Sequence, residues 1–109
     1  MTKYHAVRVT LDGITFDSKR EAARWAELRL LEQAGEISLL KVHPKYCIHE
    51  GFYSNEKWIQ PIYYIADFEY VEGTIWVTED VKGVETAVFR LKAKLFKSAF
   101  PGYELRIVR

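Results

Sequence analysis

Between Lys45 and Lys82 the chain reads as extended, with Ile, Tyr, Trp and Val recurring between turn residues, and each side of that stretch carries the signature of a helix. Lys45-Tyr-Cys-Ile-His49 reads as a first strand, and Gly51 to Asn55 as a loop. Lys57 to Val71, rich in Ile, Tyr and Trp, reads as a second strand, with Pro61 marking an edge or a bulge. Glu72-Gly73 is a tight turn, and Thr74 to Lys82 returns as a third strand that Gly83 ends. Upstream, Ser18-Lys-Arg-Glu21 has the form of a capping box and opens a helix that runs to Ala34, where Gly35 stops it. Downstream, Val84 to Phe100 reads as a second helix with Val88, Leu91, Leu95 and Ala99 on its inner side, broken by Pro101-Gly102. Ala6–Leu11 and Ile14–Phe16 flank Asp12-Gly13 as a hairpin, and Tyr103–Val108 alternates as a last strand. That strand returns from a helix, so it can lie parallel to a sheet member through a right-handed crossover. The expected fold is a single α/β (α+β) domain over residues 1–109, a mixed β-sheet flanked by helices.

Composition narrows the class. Hydrophobic residues make up 49% of the 109, enough for one core, and 28% are charged, which argues against disorder. No apolar run approaches the roughly 20 residues that span a bilayer, and MTKYHAVRVT has no apolar signal core. A lone Cys47 excludes an internal disulfide and a cysteine zinc site, and a reducing cytoplasm is the simplest home. His5, His43 and His49 lack metal-ligand spacing. The net charge of +1 hides an uneven distribution: Arg90, Lys92, Lys94 and Lys97 fall in a stretch without a carboxylate.

Asp67 interrupts an apolar, aromatic strand, where an unpaired carboxylate costs about 2–7 kcal/mol or more. It lies nearly as far before the Glu72-Gly73 turn as Asp80 lies after it, so the two fall nearly opposite each other in an antiparallel pair. Asp80 and Lys82 are two apart and share a strand face. Facing carboxylates repel unless a cation lies between them, and hard oxygen ligands favour Mg²⁺. A neighbouring ammonium suits phosphodiester hydrolysis, where it orients water and offsets developing negative charge. Taken alone, an Asp-Val-Lys triplet on a strand is commonly a surface salt bridge.

The order of elements and the strings Gly13-Ile-Thr-Phe-Asp-Ser-Lys19, Glu21-Ala22, Ala66-Asp-Phe68 and Glu79-Asp-Val-Lys-Gly83 resemble the PD-(D/E)XK nuclease superfamily, and within it the small phage- and prophage-borne nucleases. The resemblance covers Gly13 through Phe96. It implies a restriction-endonuclease-like αβββαβ core behind an N-terminal hairpin, and an endodeoxyribonuclease that uses Mg²⁺, with Mn²⁺ able to substitute. Branched or recombining phage DNA is the implied substrate, and the host cytoplasm the implied setting. It implies that Asp67, Asp80, Glu21 and the Val81 carbonyl bind the metal and that Lys82 acts on the water. Two departures are Ala66 where the superfamily has proline, and Asp80 where glutamate is commoner. Glu79 points to the opposite face on an ideal strand, although a bulge would exchange the two acids. Glu21 also fits its capping box, so spacing alone leaves its role open between cap and site.

Arg90, Lys94 and Lys97 recur at helical spacing and Lys19, Arg20 and Arg24 lie beside Glu21; each set reads either as a phosphate contact to DNA or as a solvated face. Trp25, Trp58 and Trp76 read as packing residues rather than base-stacking platforms. The competing function is a DNA-binding or assembly module without activity of its own, in a homodimer or a larger phage replication or recombination complex. One site per chain cuts one strand, so paired cuts require a symmetric dimer.

Overall fold

In a computed structural model that describes residues 7–109, the elements lie close to these expectations, with informative exceptions. β1 (Val9–Leu11) and β2 (Ile14–Phe16) form the hairpin, and both turn residues, Asp12 and Gly13, take positive φ as its tight turn demands. The expected start at Ala6 lies outside the described residues. α1 (Lys19–Gln33) is capped by the Ser18 hydroxyl, which accepts from the Glu21 amide at 3.2 Å.

Four strands make the central sheet, in the order β10 (Tyr103–Val108), β9 (Ile75–Val81), β8 (Phe68–Glu72) and β3 (Ser38–Val42). β8 and β9 are antiparallel with Phe68 opposite Glu79, and β10 runs parallel to β9 after α2 (Ala87–Ala99), as a strand returning from a helix should. The mixed sheet flanked by helices is therefore the observed architecture. β3 was not anticipated: it pairs with β8 across a register shift, and Leu39 takes positive φ, so its side chains do not alternate cleanly.

Strand parity divides the interior into two layers. Phe68, Tyr70 and Val77 face α1 and pack with Phe16, Trp25, Leu28 and Ile37. On the other face Tyr46, Ile48 and Tyr64 pack with Phe89, Ala93 and Phe96 of α2. The expected inner side of α2 is corrected here. Val88, Leu91 and Ala99 are exposed and Leu95 is half-buried, while the stripe one residue along, Phe89, Ala93 and Phe96, is buried. Both stripes have the same period, and the larger aromatic one fills the space against the tyrosines. The helix also begins later than Val84, at the Thr86 cap, whose hydroxyl accepts from the Phe89 amide at 3.1 Å.

The single strand expected over Lys57–Val71 is three: β6 (Lys57–Ile59), β7 (Ile62–Ile65) and β8, interrupted at Pro61 and again at Ala66-Asp67. β5 (Phe52–Ser54) occupies most of the expected loop and pairs with β6 across an Asn55-Glu56 turn with two positive φ angles. With β4 (Lys45–His49) paired to β7, residues 45–65 form a long two-stranded ribbon whose base packs on α2. Trp58 and Trp76 are half-exposed strand residues, whereas Trp25 is core. No helix among the described residues is long and apolar enough to cross a membrane.

Candidate functional site

The break between β7 and β8 is what frees Asp67. Its amide donates to the Glu79 carbonyl at 3.2 Å, its carbonyl accepts from the His43 amide at 2.9 Å, and its Oδ2 accepts from the Val81 amide at 2.7 Å. The side chain therefore folds over the end of β9, beside Asp80. Asp80 is buried in the layer below α2, where the Tyr64 hydroxyl donates to its Oδ2. Lys82 Nζ lies 3.7 Å from Asp80 Oδ1 and 4.5 Å from the centre of the Phe89 ring. Glu21, on the first turn of α1, directs its carboxylate toward Asp67. Its Oε1 is buried and has no hydrogen-bond partner among the described residues.

The four residues singled out from the sequence thus converge from three elements: α1, the β7–β8 break and the end of β9. Burial raises the proton affinity of all three acids. It holds the Asp67 carboxyl to about 6, despite relief from hydrogen bonds with Asp80 and the Val81 amide. Asp80 is pushed up to about 7 by burial and then by the neighbouring Asp67 carboxylate, through hydrogen bonding and charge. Glu21 rises through burial and the nearby charge of Asp17. Such a cluster binds protons more tightly than isolated carboxylates do, and a cation of higher charge can replace those protons.

Glu79 answers the question of strand parity. The β8–β9 ladder has no register shift, so Glu79 faces the α1 layer, opposite to Asp80. There its carboxylate accepts two bonds from Arg24, at 2.7 and 2.9 Å, and one from the Tyr70 hydroxyl at 2.7 Å. Arg24 belongs to this internal ion pair rather than to an open basic flank. The pair holds Arg24 further toward its protonated form and pushes Tyr70 up to about 12, through burial and its bond to Glu79. Neither this network nor the Tyr64–Asp80 bond was anticipated. Their only sequence signal is the hydroxyl of a tyrosine at a core-facing strand position, which needs a partner.

A cleft of about 490 Å³ opens beside the cluster, lined by Ser18, Arg20, Val81, Lys82, Gly83 and Thr86 among others. Arg20 is exposed at its rim and lies so near Gly83 that a Cβ there would stand 3.1 Å from the guanidinium. Lys19, also exposed, opens α1 next to it. Arg90, Lys94 and Lys97 do stand in a row, but they line a second groove, of about 380 Å³, between α2 and Leu105 and Ile107 of β10. The Arg90 guanidinium donates to the Glu85 carbonyl at 2.6 Å.

The whole chain, residues 1–109, matches a family model described as "Protein of unknown function (DUF1064)". The chain belongs to the DUF1064 family. No curated protein and no solved structure matches it. The DUF1064 membership thus attaches no chemistry to the cluster, and its capacity rests on its own donors. Among the described residues no three His, Cys, Asp or Glu side chains stand in metal-holding geometry as they lie. Two of the carboxylate oxygens are engaged by Val81 and Tyr64. The donor set nonetheless fits a hard divalent cation. It consists of oxygens only, it gathers three acids with raised proton affinity, and it leaves the buried Glu21 Oε1 without a partner.

Proposed function

We propose that this chain is a metal-dependent endodeoxyribonuclease of the PD-(D/E)XK kind, hydrolysing DNA phosphodiester bonds. The observation that carries the reading is the convergence of Glu21, Asp67, Asp80 and Lys82, with Lys82 also lining a cleft that Arg20 borders.

Asp67, Asp80, Glu21 and the Val81 carbonyl would hold Mg²⁺ or Mn²⁺. When bound, such an ion acidifies water and draws charge from the phosphoryl oxygens. The remaining work falls to the chain. The Val81 amide fixes the Asp67 carboxylate, and the Tyr64 hydroxyl fixes that of Asp80, so neither ligand has to be ordered when DNA arrives. Lys82, steadied over the Phe89 ring, orients the attacking water and offsets the negative charge that grows on the phosphate. Arg20, on the cleft, and Lys19 beside it in sequence would meet neighbouring phosphates, and Arg90, Lys94 and Lys97 would offer further phosphate contacts from the separate groove along α2. Branched or recombining DNA is the substrate class proposed, with a phage replication or recombination setting in the host cytoplasm.

The test is cleavage of linear, nicked, single-stranded and four-way-junction DNA by the purified chain with Mg²⁺, Mn²⁺ or EDTA. Cutting that needs the metal and prefers the junction is expected. DNA binding without cutting under any metal would replace the enzyme with a non-catalytic DNA-binding or assembly module.

A further inference from the structure

β10 is an edge strand of the central sheet. Among the described elements only β9 and α2 touch it, so its outer side has no strand to pair with. The ladder fixes which backbone groups lie on that side. The Val108 carbonyl accepts from the Lys82 amide at 2.8 Å, so the amides and carbonyls of Glu104, Arg106 and Val108 face β9. By alternation those of Leu105 and Ile107 face outward, a short row of open donors and acceptors.

The side chains of the same two residues pack on the α2 layer. α2 is braced against the base of the ribbon: its Phe96 ring lies 4.8 Å from that of Tyr46 and 5.5 Å from that of Tyr64. The side of the helix toward β10 is left open as the groove of about 380 Å³. Phe89, Ala93, Leu105 and Ile107 give it an apolar floor, and Arg90, Lys94 and Lys97, all exposed, give it a basic wall. No carboxylate occurs from Thr86 to Tyr103. Glu85, the one acid that lines the groove, is held in an ion pair by Arg109.

We infer that this groove docks an acidic, extended peptide segment of a partner protein, which adds to β10 as a further strand. A strand bonded to the open groups of Leu105 and Ile107 carries every second side chain on the α2 face, beside theirs and beneath the basic wall. Edge pairing and filling of the groove are therefore one act. The spacing agrees. Alternate residues of a strand stand about 6.7 Å apart, and Arg90, Lys94 and Lys97 follow one another at about 4.5–6 Å along their helix. Acids at every second position can each meet a cation. Charge argues against a second copy of this chain, because two-fold pairing of β10 strands would set two basic rows against each other. Nucleic acid would use the cations but neither the edge amides nor the apolar floor. The inference does not depend on nuclease activity; where the row also contacts phosphates, as proposed above, peptide and DNA exclude each other.

The probe is a synthetic peptide of about eight residues that alternates Glu and Val, titrated into the full chain at low salt by fluorescence anisotropy. Amide hydrogen exchange is read by NMR on the complex. Saturable binding below about 1 mM is expected. Exchange should slow at Leu105 and Ile107 and stay unchanged at Arg106, whose amide already faces β9. Arg90→Gln, Lys94→Gln and Lys97→Gln together should lower the affinity about tenfold, the worth of three exposed ion pairs. The same peptide N-methylated at its central residues keeps its charge but loses its donors, and should bind the wild type at least about tenfold more weakly. Equal affinity for the N-methylated peptide, or binding that leaves Leu105 and Ile107 unprotected, overturns the inference. So does an affinity that the triple variant leaves unchanged. Absence of peptide binding also overturns it, and duplex DNA that then binds through the row would assign the groove to nucleic acid.

Discussion

Replacing Asp80 by asparagine should make the metal-free protein more stable at mildly alkaline pH, although it removes a site residue. In the folded chain Asp80 keeps its proton up to about 7, against an ordinary 3.8. The sign follows from linkage. The folded state binds this proton more tightly than the unfolded state, so the associated stability is complete below about pH 4 and is lost as pH rises through about 7. At about 1.4 kcal/mol for each tenfold change in proton affinity, full ionisation removes up to about 4 kcal/mol. Asp67 is coupled to Asp80, so the two contributions overlap and about 2 kcal/mol is the expected net effect. Asparagine imitates the protonated acid: its carbonyl accepts from Tyr64 and its amide group donates to Asp67. Thermal melts in EDTA should therefore give nearly equal Tm values at about pH 4. Near pH 8 the variant should lead by about 8 °C, at roughly 4 °C per kcal/mol for a domain of this length. Mg²⁺ should reverse the order near pH 8, by about 2.7 kcal/mol for the wild type at a hundredfold excess over Kd, with little effect on the variant. Parallel Tm–pH curves in EDTA, or a variant less stable than the wild type near pH 8, would refute the account of the buried pair.

Lys82→Ala should abolish cleavage in single-turnover assays while leaving metal affinity intact or slightly raised, because a like charge has gone; Asp80→Ala should lose both. Wild-type cutting by Lys82→Ala would return the Asp-Val-Lys triplet to a plain salt bridge. Neutralising Arg90, Lys94 and Lys97 together should weaken binding to every DNA sequence and flatten its salt dependence by about one in slope per lost phosphate contact. Unchanged affinity and slope in filter-binding titrations would leave that face merely solvated. Arg24→Ala should destabilise the fold by about 3–5 kcal/mol in urea titrations, because it strands the wholly buried Glu79 carboxylate. A loss below about 1 kcal/mol would show that Arg24 is not what compensates the buried Glu79 carboxylate.

The elements whose signals are local were legible in the sequence. The Asp12-Gly13 turn, the Ser18 cap, the β8–β9 hairpin and the alternation of β10 each announce themselves within a few residues. The pairing of Asp67 with Asp80 was legible for the same reason, since a short turn fixes register. What stayed hidden depends on remote partners. Pro61 and Asp67 interrupt the strand formers from Lys57 to Val71, but nothing local records that the chain leaves one sheet for another at Ala66-Asp67. α2 carries two apolar stripes of equal period, and only the tyrosines beneath it decide which is buried. Arg24 and Glu79 lie far apart in sequence, and nothing near either residue names the other.

The Ala66-Asp67 break has a mechanical consequence. β7 belongs to the ribbon and β8 to the central sheet, and only these two residues join them. Asp67 thus sits at the junction between the ribbon and the central sheet. On the sheet side it is anchored by the Glu79 carbonyl and the His43 amide, and on the ribbon side by the Ala66 amide bond to the Pro44 carbonyl at 3.1 Å. Because Tyr46, Ile48 and Tyr64 seat the base of the ribbon under α2, the position of the Asp67 carboxylate is tied to the packing of that layer as well as to the central sheet.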